Sequence, residues 1–575
     1  RPAGPRGRHA WSAMTAAVLP VQRDLAGLFR AALVRAAASG ALALDPEAIG
    51  EPQLERPRQA EHGDWATNVA LVLAKAAKAP PRKVAEAMVA HLEVPGWVAG
   101  VEVAGPGFVN VRLDQRWFAA LVRRVVAAGE SFGTIDLGHG ERVNVEFISA
   151  NPTGPLHVGN ARLAPTGDAL ANLLTATGHK VEREYYFNDA GSQIEQLGAR
   201  VEAAYLGLLG RPAEPPADGY KGAYVADVAK ELVEEQGEAL ADLDRAERRA
   251  RITDWAFRRM LAWIKETLAR LGVEFDVWFS ERTLHETRAI AETVDELRAR
   301  GVVEDRDGAV WLRTTQFGDD KDRPLIRSNG APTYFGADAA YYRDKRRRGF
   351  DRLIFLWGAD HHGYVPRMRA VMRAFGDPDD TAEFHISQLV SLVRAGQPAK
   401  MSKRAGDIAT VDDLLDEVGK DAFRYTMLRF SLDAPIEFDV EAVTRQSLDN
   451  PVYYVQYAHA RISSVIRQGN DTGFTALPIE ETDLGLLTHP MEAALLRRLA
   501  AFEEQVLTAA TQRAPHRLTR YAEDLAAAFH RFYGECRVLT DDHALSSARW
   551  WLVDATKQVL ANTLGLIGVE APERM

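Results

Sequence analysis

Two short segments carry side chains suited to phosphate chemistry. The first runs Ser149-Ala150-Asn151-Pro152-Thr153-Gly154-Pro155-Leu156-His157-Val158-Gly159-Asn160. Two prolines and Gly154 stiffen it as a turn, and His157 and Gly159 fall where helical periodicity begins again. A helix N-terminus offers unpaired N–H groups and a positive dipole end, which suits phosphate. His157 and Asn160 can donate hydrogen bonds to phosphate oxygens as charge builds in a transition state. Gly159 leaves room for a closely approaching ligand such as an adenine ring. The alternative is a Pro-rich connection with one incidental histidine. The second segment is Lys400-Met401-Ser402-Lys403-Arg404-Ala405-Gly406. Lysines three apart on a mobile loop can close over a triphosphate and neutralise departing pyrophosphate. Its alternative is an ordinary basic surface loop.

The elements around these segments must position them. Glu141 to Ile148 alternates like a strand and runs into the first segment, after which Ala169, Leu170, Leu173 and Leu174 have helical spacing. Strand, turn, helix is the opening of a nucleotide-binding βα unit. A second predicted strand, Arg352 to Trp357, ends at Gly358. The stretch between the two strands reads as mostly helical, broken by the Pro-rich loop 211–219, and as an insertion between two halves of one parallel sheet. Upstream, a helix over 23–38 and a half-buried strand over Phe108 to Leu113 predict a small α/β unit at about 20–125. Beyond Asp439 the pattern is helical: 453–466, 492–512, 515–532 and 547–564 form a separate bundle.

Composition bounds the possibilities. The 575 residues are 46% hydrophobic and 26% charged, ordinary for a globular chain of several domains. One cysteine, Cys536, excludes a disulfide framework and a Cys-rich zinc ribbon, and reads as a small buried hydrophobe. No apolar run is long enough for a membrane span, so a reducing cytoplasm is expected. Met14 is a candidate natural start, with residues 1–19 read as a disordered tail. The net charge of -10 argues against a protein that simply coats nucleic acid. The densest basic run, Arg343 to Arg348, is as compatible with a solvated helix end as with an RNA contact.

The pairing of His157-Val158-Gly159-Asn160 with Lys400-Met401-Ser402-Lys403 resembles the paired signatures of class I aminoacyl-tRNA synthetases. More closely, the chain resembles bacterial arginyl-tRNA synthetases from about Leu25 to Met575. Further matches are Glu61 to Asn68, Val103 to Phe108, Asn188-Asp189-Ala190-Gly191, Trp357 to Pro366, Asn450 to Arg461 and Ala571 to Met575. The resemblance implies an α/β architecture: a Rossmann-type parallel-sheet catalytic domain at 135–440 with an insertion at about 200–320, an N-terminal α/β domain that contacts tRNA, and an all-helical anticodon-binding domain at 445–575.

It also implies a chemistry. Arginine reacts with ATP to give arginyl-adenylate and pyrophosphate, usually with tRNA bound, and arginine then passes to the terminal adenosine of tRNA(Arg). By the same resemblance His157, Asn160, Lys400 and Lys403 are catalytic. His157, Gly159, Asn160, Gly358, Asp360, His361, Met401, Ser402 and Lys403 hold ATP. Asn151 holds the amino or carboxyl end of arginine. Glu281 and Asp338 supply negative charge to its guanidinium, a planar group with five donors that is best matched by acceptors in a fork. Tyr334 lies against the guanidinium plane or its stem. Tyr453, Tyr457 and Arg461, at i, i+4 and i+8, could face unstacked bases of tRNA, although such a stripe is also usual in a core. Magnesium is expected to accompany ATP, with no protein-held zinc or metal cage, and the chain is expected to be monomeric.

Two departures and two rivals stand beside this reading. Asn160 replaces the commoner second histidine, and its neutral amide still donates. Leu163 sits where the family often has glycine, and Pro165 predicts a helix that starts late or is kinked. Asp360-His361-His362 also marks a metal-dependent phosphoesterase family, which needs further Asp-rich motifs on strand ends. A catalytically silent tRNA-binding paralogue is the second rival.

Overall fold

Five strands of the central sheet run parallel in the computed structural model, which describes residues 19–57, 59–189, 191–211, 224–398 and 410–575. In chain order the strands are β1 (Trp65–Thr67), β2 (Val98–Ala104), β3 (Phe108–Leu113), β4 (Arg142–Phe147), β5 (Lys180–Phe187), β6 (Val277–Ser280), β7 (Val303–Arg306), β8 (Ala309–Leu312), β9 (Arg323–Ile326), β10 (Arg352–Gly358), β11 (Ala382–Ser387), β12 (Val390–Arg394), β13 (Gln397–Pro398) and β14 (Ile436–Asp439). The central sheet has the order β11-β10-β4-β5-β6. From β4 the chain moves outward to β5 and β6, then returns to the other side of β4 as β10 and β11. The order therefore reverses between β4 and β10, and a crevice opens beyond their carboxyl ends, where parallel sheets bind ligands.

Val143, Val145 and Phe147 on β4 are fully buried. Each contributes about 1.5–3 kcal/mol of apolar burial. The polar half of the β4 alternation is buried too, because helices cover both faces of a parallel sheet. Asn144 and Glu146 meet Lys345, whose Nζ donates to Asn144 Oδ1 at 2.7 Å and to Glu146 Oε2 at 2.7 Å. Lys345 also lies 3.4 Å from Glu184 on β5. Alternation thus located the strand but not its surroundings.

The insertion between β5 and β10 is less uniformly helical than its sequence suggests. Helices Ser192–Leu208, Tyr224–Gln236 and Arg245–Arg270 are followed by β6, which belongs to the central sheet. Next, β7, β8 and β9 form a small antiparallel sheet packed on the helix Tyr334–Arg347. Short four-residue strands leave too few periods for alternation to be read in sequence. Most of the basic run at 343–348 turns inward, with Arg347 left exposed: Arg343 pairs with Glu296 at 2.6 Å, Arg346 with Asp377 at 3.2 Å, and Arg348 with Glu184 at 2.6 Å.

The N-terminal unit is a three-stranded antiparallel sheet, β1-β3-β2, covered by helices Pro20–Ala38 and Pro81–Ala90. The helical region contains Pro451–Asp471, Pro490–Ala500, Phe502–Thr511, His516–Glu535 and His543–Leu566. The helix read over 492–512 is broken at Ala501. These two regions, distant in sequence, share one buried apolar cluster that includes Leu25, Val109, Val122, Phe502 and Phe529. Cys536 lies buried at its edge.

Candidate active site

The corner after β4 is built on strained backbone. Ile148 and Ser149 adopt φ of 69° and 43°, a region that costs a non-glycine residue about 1–3 kcal/mol, and most for a β-branched one. Neighbouring contacts hold it. The Ser149 hydroxyl donates to Glu146 Oε1 at 3.2 Å and accepts from Tyr186 N–H at 3.2 Å. Tyr185 donates to the Ala150 carbonyl at 2.7 Å. Asn151 is fixed to the end of β5, accepting from Asn188 N–H at 3.2 Å and donating to Gln193 Oε1 at 3.1 Å.

His157 caps the short helix Val158–Ala161, accepting at Nδ1 from Gly159 N–H at 3.0 Å. An accepting Nδ1 places the proton of the neutral ring on Nε2, which leaves Nε2–H as a donor. Desolvation lowers the imidazole pKa below its ordinary value, with the Asp360 carboxylate opposing. A Cβ on Gly159 would lie 2.7 Å from His157 Cε1, so the space kept open by glycine is first of all space for the imidazole. The Asn160 amide makes no side-chain hydrogen bond among the described residues. The helix breaks at Arg162 and restarts as Leu163–Ala176, with Pro165 in its first turn, where its missing N–H has no helical partner to lose. The buried Arg162 guanidinium donates to the Leu432 and Phe430 carbonyls at 3.1 and 3.0 Å.

Across the switch point, Gly358 ends β10 and Asp360 and His361 begin a short 3-10 helix. Both side chains are exposed, and His361 Nδ1 lies 3.2 Å from Asp360 Oδ1. Asp360 is near enough to His157 to act on its charge, so the two halves face one crevice. Lys400, Met401, Ser402 and Lys403 lie outside the described residues. Just beyond them, the Thr410 backbone bridges to His157, and Val411 N–H donates to the Leu156 carbonyl at 2.8 Å.

Glu281 and Asp338 come together beside β4 and β5. Tyr186 donates to Glu281 Oε2 at 2.5 Å, and Tyr364 donates to Asp338 Oδ2. Among the described residues neither carboxylate pairs with a lysine or arginine; only His285 approaches Glu281, at 3.5 Å. Desolvation pushes the Asp338 carboxyl up to about 7; the Tyr364 hydroxyl opposes this, and Glu281 and Glu146 add to it as like charges. Glu184 shows the contrast. Burial would raise its carboxyl, but Lys345 and Arg348 outweigh burial and hold it down to about 2. Tyr334 begins the helix that carries Asp338, one turn before it, and is 65% exposed.

Sequence reading missed Tyr186, Tyr364, Glu146 and the role of Asp189. Asp189 accepts from Ser280 Oγ at 2.7 Å and Arg282 N–H at 3.0 Å, which anchors the turn carrying Glu281. The Asn188-Asp189-Ala190-Gly191 match was a signal for it. Tyr186 had none, since an aromatic residue in a strand is ordinary. Elsewhere, Tyr453 and Tyr457 stack with centroids 6.0 Å apart, and the Arg461 guanidinium lies 4.9 Å from the Tyr457 ring and 5.0 Å from Tyr533. All three residues of this stripe are half-buried.

Comparison with known proteins matches nearly the whole chain. Residues 24–113 match the arginyl tRNA synthetase N terminal domain, 122–429 the catalytic domain of class I (R) tRNA synthetases, and 455–575 the DALR anticodon binding domain. The arginine–tRNA ligase of Frankia alni is 52% identical over 557 residues, covering 96% of this chain and 99% of the relative. That of Moorella thermoacetica is 46% identical over 559 residues, covering 97% and 100%. The solved arginyl-tRNA synthetase of Thermus thermophilus, at 23% identity, shares the fold with a TM-score of 0.73 over 96% of this chain and 100% of its own.

Proposed function

The chain belongs to the arginyl-tRNA synthetase family, and from that premise we propose how its residues divide the work of an arginine–tRNA ligase. In the first step a carboxylate oxygen of arginine attacks the α-phosphorus of ATP, and pyrophosphate leaves. In the second, a hydroxyl of the terminal adenosine of tRNA(Arg) attacks the arginyl carbonyl, and AMP leaves. ATP enters as its magnesium complex.

His157 donates through Nε2–H to a phosphate oxygen, Asn160 adds a neutral donor, and Lys400 and Lys403 neutralise the charge that builds on the leaving pyrophosphate. Met401 and Ser402 accompany these lysines against ATP. Gly159, Gly358, Asp360 and His361 line the nucleotide side of the crevice. Asn151 holds the amino or carboxyl end of arginine, Glu281 and Asp338 take its guanidinium, and Tyr334 stands at the mouth of this pocket. The N-terminal unit meets the corner of tRNA, and the Tyr453-Tyr457-Arg461 stripe meets anticodon bases. The enzyme acts as a cytoplasmic monomer.

One observation carries the choice of substrate. Glu281 and Asp338 share a site with no lysine or arginine paired to either among the described residues, which calls for a cation from outside. The test is charging of bulk tRNA with each of the twenty amino acids. Arginine alone is expected to be incorporated at a substantial rate, and preference for any other amino acid would sink the pocket assignment.

A further inference from the structure

We propose that Tyr186 and Tyr364 are positioning residues for arginine: each phenol hydrogen-bonds one oxygen of Glu281 or Asp338, and so aims the remaining oxygens together at the substrate guanidinium. This rests on the reading of Glu281 and Asp338 as the guanidinium site.

A carboxylate on its own is free to turn. The terminal torsion of Asp or Glu is broad, so an unbonded carboxylate samples many planes. A guanidinium is planar and rewards a carboxylate only in a matching plane, so that freedom costs affinity. A lysine or arginine could fix the plane but would cancel the charge that the substrate is to neutralise. A phenol fixes it and adds no charge. Here each acid has one phenol: Tyr186 on Glu281 Oε2 at 2.5 Å, and Tyr364 on Asp338 Oδ2. Oδ1 of Asp338 has no hydrogen-bond partner among the described residues, and Oε1 of Glu281 has only His285, at 3.5 Å.

The phenols are themselves held. Tyr186 packs between Phe279, 6.2 Å away and nearly parallel, and Tyr341, 4.6 Å away. Tyr364 meets Trp357 edge-on at 6.2 Å and carries the Arg367 guanidinium over its ring at 5.1 Å. Burial raises both hydroxyl pKa values, so both remain donors across the working pH range. Rigid rings make the hydrogen bonds directional supports for the acids.

The pair has an electrostatic signature. Asp338 faces Glu281 from the turn after β6, Glu146 from β4, Tyr186 from β5 and Tyr364 from the end of the 3-10 helix. Arg367 and Arg323 lie near Tyr364, and His285 lies near Glu281. Among these, the Tyr364 hydrogen bond favours the ionised form of Asp338, whereas Glu281 and Glu146 oppose it. Removing the hydroxyl therefore moves the acid limb of arginine use to higher pH.

The experiment compares full-length Tyr186→Phe, Tyr364→Phe and Asp338→Asn with the parent in tRNA charging. Each phenylalanine variant is expected to raise the KM for arginine roughly tenfold, with kcat and the KM for ATP within about twofold. For Tyr364→Phe, the pH below which kcat/KM for arginine falls should also move upward. An unchanged arginine KM in both phenylalanine variants, beside a large rise in Asp338→Asn, overturns the positioning role and leaves the pocket intact. Equal losses in kcat and both KM values would also overturn it, as would a lowered melting temperature with no change in the arginine KM. If one phenylalanine variant does not fold, the other makes the same test on its own carboxylate. No effect in Asp338→Asn means that the pocket reading itself has failed.

Discussion

The hydrogen bond from Gly159 N–H to His157 Nδ1 settles which ring nitrogen faces outward as a donor. Desolvation favours the neutral ring, so on the reading proposed above His157 would serve as a dipolar donor rather than a fixed charge. His157→Ala is expected to lower the rate of arginine-dependent ATP–pyrophosphate exchange by about 10²–10³-fold, with little change in the arginine KM. Pre-steady-state exchange kinetics would check this, and a loss confined to the arginine KM would contradict it. The expected pH response rests on Asp338. Only its carboxylate attracts a guanidinium, and desolvation pushes that carboxyl up to about 7. The arginine KM should be flat above about pH 7 and rise by up to about tenfold per unit below it. For the unliganded protein the sign is opposite: the folded state holds a proton that the unfolded state has lost, so stability falls as pH rises from about 4 to about 7.

Between residues and domains, the layer formed by β4, β5 and the helix Tyr334–Arg347 is where charge is organised. Lys345 is fully buried and stands against Glu146 and Glu184, and the Tyr341 hydroxyl lies within hydrogen-bond reach of both acids. This network compensates Glu146 and Glu184, whereas among the described residues no lysine or arginine pairs with Glu281 or Asp338. Lys345→Met should destabilise the protein by about 3–5 kcal/mol, because Glu146 loses its buried cation and Glu184 is left with Arg348 alone. Denaturant unfolding would measure it. Loss within about 0.5 kcal/mol of zero, typical of surface positions, would show that the acids take up protons or water at little cost.

At the scale of the whole molecule, Arg424 joins regions far apart in the chain. It is fully buried and donates to Asp168 on the helix behind His157, to the Leu271 carbonyl at 2.9 Å, and to the Ile567 carbonyl at 3.0 Å. Gly568 makes the contact possible: its φ is +68°, and a Cβ there would stand 2.0 Å from Arg424 Nη2. Gly568→Ala is expected to cost about 2–4 kcal/mol from backbone strain and displacement of the guanidinium together. A melting temperature equal to the parent's would show that Arg424 is not held as described.

Much of this was legible along the chain, and its limits have physical causes. β4 and β10 were readable because Glu141 to Ile148 alternates and Arg352 to Trp357 is a bounded apolar run, each ending in turn-forming residues. The break before Leu163 was readable because Pro165 cannot sit within a continuous helix at no cost. The bracketing motifs around His157 and Lys400, with the family pattern beside them, indicated the chemistry. Tertiary structure alone decided where the charges stand. Lys345, Arg346 and Arg348 look like a basic surface run, yet packing turns them inward onto Glu146, Asp377 and Glu184. It also brings Tyr186, Glu281, Asp338 and Tyr364 from four different elements into one cluster. Periodicity reports the face a residue takes on its own element, whereas a charge's partner and its solvation depend on which elements fold against it.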